Sequence, residues 1–211
     1  GYLLWNAWQL LAERDPLRQH FPGIRKFALS LTVLLCVQIL FGALVSGMES
    51  ARVYPTWPDM NSAFLPAVLL DGANWQWNAF INFNQTLLPH ALVQFLHRNL
   101  AYLIVILAIP FTVYSLKKLP TDESYITRAG VMAIPAVILF QAGLGIALLL
   151  NTTNQIPVGL GVIHQAVAIL LLASVLFVNY RLGGKQVAGG PSENATAKSA
   201  SEANSTKLQE A

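Results

Sequence analysis

Four long apolar stretches, at about residues 27–47, 92–116, 129–150 and 158–180, alternate with connections that are charged or rich in aromatic residues. At 1.5 Å of rise per residue, each stretch covers about 30 Å or slightly more as a helix, the thickness of a bilayer's hydrocarbon core. The pattern predicts an all-α membrane protein, a bundle of four transmembrane helices. An even number of spans puts both flanks on one side of the membrane.

The basic residues identify that side. Arg14, Arg18, Arg25 and Lys26 precede the first span, Lys117, Lys118 and Arg128 separate the second and third, and Arg181 and Lys185 follow the fourth. The two opposite connections carry only Arg52. The positive-inside rule then makes both ends and the short middle loop cytoplasmic and turns the 48–91 loop outward.

Composition agrees with this reading: 55% of the 211 residues are hydrophobic, 11% are charged, and mean hydropathy is +0.51. The net charge of +3 is concentrated where it sets orientation, so no nucleic-acid partner is expected; the partner that composition demands is the lipid bilayer. With one cysteine, Cys36, no disulfide can form within the chain.

Residues 1–11 are apolar and aromatic but too short to span, and they read as the end of a preceding transmembrane helix. Residues 12–26 form a cytoplasmic segment, 27–182 the four-helix bundle, and 183–211 a tail without aromatic residues that is expected to be disordered. That division predicts that the chain is one part of a larger protein. The outer loop carries Tyr54, Trp57, Trp75, Trp77, Phe80 and Phe83, with Pro55, Pro58, Pro66 and Pro89 breaking any long helix. It is expected to lie at headgroup level over the bundle, as interfacial anchor or as lid.

An internal repeat organises the spans into two pairs. Gln38 and Gly42 in the first span correspond to Gln141 and Gly145 in the third, four residues apart and so on one helix face. In the partner helices His97 corresponds to His164, each about a turn and a half into its span and each followed four residues later by alanine, Ala101 or Ala168. Imidazole inside a membrane is expensive unless used. Two imidazoles at similar depth on two helices are a way to hold one haem iron, with small neighbours leaving room for the macrocycle. The competing reading is that each His hydrogen-bonds across helices, with Gln38 or Gln141 as partner.

Other candidates follow from position. Arg98, beside His97, is a candidate for a haem propionate or for snorkelling to headgroups. Gln94 shares a face with His97, to orient it or to glue helices, and Gln165 faces either the pocket or a neighbouring helix. His90 is expected at the interface and solvated, and His20 in the cytoplasmic segment, neither as ligand. Pro110 and Pro135 are expected to kink their helices. Hydrolase, phosphate-loop and Cys-x-x-Cys signatures are absent from the sequence, and acidic residues are confined to loops and tail.

The runs Phe41-Gly42-Ala43-Leu44-Val45-Ser46-Gly47, Tyr54-Pro55-Thr56-Trp57-Pro58-Asp59-Met60, Val93-Gln94-Phe95-Leu96-His97-Arg98 with Ala101-Tyr102, Gln141-Ala142-Gly143-Leu144-Gly145-Ile146 and His164-Gln165 resemble, in order and spacing, the C-terminal half of haem A synthases. The similarity covers about residues 1–182. It implies one half of an eight-helix tandem bundle, in a bacterial plasma membrane or a mitochondrial inner membrane. The family oxidises the C8 methyl of haem O to the formyl of haem A. By resemblance, His97 and His164 bind a haem b as axial ligands; Arg98, Gln94 and Gln165 remain cofactor-binding candidates by position.

The resemblance puts the substrate haem O and a catalytic glutamate in the N-terminal half, so no catalytic residue is assigned to this chain. Haem O synthase, an electron donor or acceptor and the N-terminal half are the implied partners. Some members carry a cysteine pair in an outer loop, which this loop lacks. A stand-alone b-type cytochrome or quinone-linked electron-transfer subunit is the alternative, and a haem-free transporter-like bundle a third.

Overall fold

The computed structural model describes residues 2–3, 6–7, 20–121, 124–153 and 155–184. Among these, four helices are long and apolar enough to cross a membrane: α1 (Pro22–Gly47), α2 (Leu87–Lys118), α3 (Tyr125–Leu150) and α4 (Val158–Arg181). The described residues form an all-α membrane protein with four spans. Residues 2–3 and 6–7 are helical, but most of the expected preceding helix, and the tail from 185 onward, lie outside the described residues. Gly183 and Gly184 are fastened to His20, whose Nδ1 donates to the Gly184 carbonyl at 2.9 Å.

Every helix extends past its apolar run, for local reasons. Pro22 opens α1 at the first helical position, where its missing N–H removes no intrahelical bond. The same tolerance corrects the expected start of α2. Pro89 is accommodated in the first turn, so residues 87–91 belong to the helix and not to the outer loop. At the other end Pro120 forces Leu119 into extended backbone, φ −81° and ψ 125°, and stops α2. Pro110 and Pro135 sit inside α2 and α3 without ending either helix.

Successive helices pack side by side and α4 returns to α1, so the four form a ring with α1 opposite α3 and α2 opposite α4. The tight core lies at one end only. Ile24 and Leu31 of α1, Phe111 of α2, Ile134 of α3 and Val175 of α4 are buried together, and Phe27 meets Phe111 edge-on with ring centroids 5.3 Å apart. These residues come from the first halves of α1 and α3 and the second halves of α2 and α4, which defines a terminus end. In lipid such a core is held by packing and by polar contacts between helices, since tails are as apolar as the side chains.

The polar contacts are present at the same end. Asn179 Nδ2 donates to Thr32 Oγ1 at 2.9 Å, joining α4 to α1. Arg181 Nε donates to Thr127 Oγ1 at 3.3 Å, joining α4 to α3. Arg128 Nη1 donates to the Leu116 and Leu119 carbonyls at 2.8 and 2.7 Å, satisfying acceptors that the end of α2 leaves open. Outward, Leu40, Ile106, Leu139 and Ile169 are more than half exposed, as suits side chains that meet lipid.

At the opposite, loop end, residues 48–86 join α1 to α2 through short helices Ser50–Val53 and Trp77–Ile81 and three 3₁₀ turns. This connection has a small core of its own, in which Tyr54 and Met60 pack with Ala91 of α2. Burial there pushes the Tyr54 phenol above its ordinary pKa. Trp75 and Trp77 remain exposed, consistent with a headgroup-level surface.

Candidate functional site

The histidines and glutamines of the repeat meet in the half of the bundle nearer the loop end. α1 and α3 are each 26 residues long, and Gln38 and Gln141 each stand nine residues before the last residue of their helix. Gly42 and Gly145 follow one turn later. The facing residues are His97 on α2 and His164 on α4, the two diagonal helices.

Each imidazole is seated in the same way. Gln38 Nε2 is 3.3 Å from His97 Nε2, and Gln141 Nε2 is 3.3 Å from His164 Nε2. Gln141 Nε2 also donates to the His164 backbone carbonyl at 3.0 Å. The ring edge lies against the glycine: a Cβ built on Gly42 would stand 3.2 Å from His97 Cε1, and one on Gly145 would stand 3.0 Å from His164 Cε1. A side chain at either position would crowd the imidazole, which would have to shift by a few tenths of an ångström.

The expected equal depth of the two histidines holds against the facing helix and not along their own. His97 lies ten residues beyond the first residue of α2, and His164 six beyond that of α4. α2 is longer at this end because its first turns run under the outer loop.

These contacts leave polar atoms over. His97 Nδ1, His164 Nδ1, Gln38 Oε1 and Gln141 Oε1 are buried without a hydrogen-bond partner. An unpaired buried polar atom costs about 1–3 kcal/mol, so a ligand that engaged these four would stabilise the site; Asn179 Oδ1 and Arg25 Nε are left over in the same way at the terminus end. Among the described residues no group of three or more His, Cys, Asp or Glu stands close enough to hold a bare metal ion. Two imidazoles without further protein ligands suit a metal that brings its own equatorial donors, as a macrocycle does. The residues present fit a haem.

The other sequence candidates form a second constellation. Arg98 is buried, and its Nε donates to Gln94 Oε1 at 3.0 Å, Nη1 to the Asp59 carbonyl at 2.7 Å and Nη2 to the Tyr54 carbonyl at 2.9 Å. Gln94 Nε2 donates to the same Tyr54 carbonyl at 3.4 Å. Three of the five guanidinium N–H groups are thus engaged with Gln94 and the outer loop, and the geometry leaves two more to donate.

His90 corrects an expectation, for it is buried rather than solvated. Its Nε2 donates to the Phe83 carbonyl at 3.0 Å and its Nδ1 accepts from Ser50 Oγ at 3.1 Å. His90, Gln94 and Arg98, four residues apart, form one polar stripe on α2 that fastens the loop. Their spacing in the sequence was a signal for this stripe; the loop partners had none. Gln165 is exposed and stands apart from that stripe. Trp57 Nε1 donates to Tyr102 Oη at 3.0 Å, a further tie between loop and α2. A cleft of about 380 Å³ between α1, α2 and Phe83 is lined by apolar side chains and by neither imidazole of the pair.

Fold and site define a polytopic helical membrane protein that presents two imidazoles from diagonal helices. Residues 1–176 match the COX15-CtaA family, cytochrome oxidase assembly protein, and the chain belongs to that family. It is 36% identical over 149 residues to a heme A synthase of Bartonella quintana, covering 71% of this chain and 38% of that protein. To a heme A synthase of Bradyrhizobium diazoefficiens it is 38% identical over 165 residues, 75% of this chain and 41% of the relative. To one of Paramagnetospirillum magneticum it is 32% identical over 187 residues, 87% and 48%. The chain therefore spans less than half the length of these relatives. No solved structure matches it.

Proposed function

We propose that this chain is the C-terminal, haem b-binding half of a haem A synthase, with His97 and His164 as the two axial ligands. The observation that carries the proposal is the duplicated Gln–His–Gly seat on diagonal helices, with two ring nitrogens left unpartnered. Bound there, the haem would supply one-electron chemistry at an iron whose axial positions are both filled. Gly42 and Gly145 admit the rings, and Ala101 and Ala168 keep the next turn small. Arg98 has N–H groups left for a propionate while it holds the loop, Gln94 orients Arg98, and Gln165 lies at the margin.

In the whole protein the C8 methyl of haem O is oxidised to the formyl of haem A. That step is assigned to the other half, because none of the four helices here contains Asp or Glu to manage protons. This half serves electron transfer, stability or both. Its partners are the N-terminal half, haem O synthase and an electron donor or acceptor. Both ends face the cytoplasm or matrix, and the loop with Trp77 faces outward, in a bacterial plasma or mitochondrial inner membrane.

Reconstitution with haem tests the ligand assignment. The chain is expected to give a low-spin spectrum with two nitrogen ligands. His97→Ala and His164→Ala should each abolish or convert it, while His20→Ala and His90→Ala should leave it. A high-spin spectrum from the folded wild-type chain would rule out paired imidazole ligation. Haem O supplied to this chain alone should be recovered unchanged by chromatography, and haem A in the extract would place catalysis here.

A further inference from the structure

The basic residues of the terminus end are not used alike. Arg181 is buried with Nε on Thr127, and Arg128 is half-buried with Nη1 on the Leu116 and Leu119 carbonyls, so both serve the bundle itself. Lys26, Lys117 and Lys118 are exposed, and among the described residues no ion pair or hydrogen bond engages any of their ammonium groups. None of the described residues of this end is acidic. The exposed positive charge is therefore gathered at the start of α1 and the end of α2 and not spread around the ring. Those two turns touch: a Cβ built on Gly23 would stand 2.8 Å from Tyr114 Oη. Lys26 lies three residues beyond Gly23, and Lys117 three beyond Tyr114, about one turn from the contact on each helix.

Toward the middle of each span the lysine faces continue as apolar side chains. Leu29 and Val33 follow Lys26 at three and seven residues, Val113 and Ile109 precede Lys117 at four and eight, and all four are exposed. A positive flank orients a bundle wherever the charge lies around it, but here the charge stands above one continuous apolar surface. We propose that this α1–α2 corner seats an anionic phospholipid, its headgroup oxygens accepting from Lys26, Lys117 and Lys118 and an acyl chain lying along Leu29, Val33, Ile109 and Val113. A lysine held near an anionic headgroup layer contributes roughly fivefold to the attraction, and salt screens it. The site goes beyond the haem reading and needs no occupant between His97 and His164.

The test follows thermal unfolding of the full chain in a neutral maltoside detergent as phosphatidylglycerol, phosphatidylcholine or inorganic phosphate is added. Phosphatidylglycerol should raise Tm saturably. Phosphatidylcholine, with the same tails and no net charge, and inorganic phosphate, with charge and no tail, should not. Lys26→Gln, Lys117→Gln and Lys118→Gln combined should weaken the apparent phosphatidylglycerol affinity by about tenfold or more and leave the lipid-free Tm unchanged. Arg52→Gln, at the loop end, should keep the full response. Equal stabilisation by phosphatidylcholine, or an undiminished response in the triple variant, overturns the proposal, and stabilisation by phosphate alone would make the corner a free-anion site instead. A check that needs no variant is salt at about 1 M, where the Debye length falls to about 3 Å. It should remove the effect of phosphatidylglycerol on the wild-type chain, and its persistence would equally overturn the proposal.

Discussion

The two helix pairs place their imidazoles alike but are finished differently. α1 with α2 and α3 with α4 share the glutamine contact at 3.3 Å and the close glycine. Only the first pair carries a long connection, tied down by the stripe of His90, Gln94 and Arg98. In the second pair the positions with the same offsets from the histidine are Pro157, Gly161 and Gln165, and the connection spans only residues 151–157. The difference teaches that ligand geometry belongs to helix-on-helix packing, which both pairs have. The cap belongs to one pair only.

The comparison is broken most strongly at Arg98. Arg98→Ala should destabilise the chain by about 3 kcal/mol, because the Tyr54 and Asp59 carbonyls and the Gln94 oxygen lose a charged donor. The counterpart change Gln165→Ala, on an exposed side chain, should stay within about 0.5 kcal/mol. Detergent unfolding and limited proteolysis of residues 48–86 measure both, and equal effects would erase the distinction between the pairs.

The glycines sharpen it at a smaller scale. Gly42→Ala and Gly145→Ala should each cost about 1–3 kcal/mol in stability or in haem retention through crowding of the ring. Gly145→Ala should be the worse, since its methyl would meet Cε1 at 3.0 Å against 3.2 Å. Haem titration of the two variants side by side checks the order. At the low end of that range is His90→Phe, which loses the Ser50 and Phe83 contacts for about 1 kcal/mol. It should loosen the loop without moving the low-spin spectrum.

The four spans and the Gln, Gly and His of the repeat were legible because membrane length and helical spacing are local properties. The start of α2 was misplaced since Pro89 reads as a breaker, although a first turn has no intrahelical bond for proline to remove. His90 and the fastening role of Arg98 were hidden for a different reason. Their partners lie 39 to 44 residues away for Arg98 and 40 for His90 with Ser50, and several are backbone carbonyls, which every residue possesses. No pattern of side chains announces which carbonyl a loop will turn toward α2. The resemblance to haem A synthases was carried by motifs that include both the legible and the hidden residues.

The one-ended core has a mechanical consequence. With Phe111, Asn179 and Arg181 locking the helices at the terminus end, and the residues from 139 to 148 of α3 all short of full burial, the bundle is built like a spring clip with a fixed pivot. The packing that holds the four helices together and the glutamine–histidine contacts thus lie at different ends of the bundle.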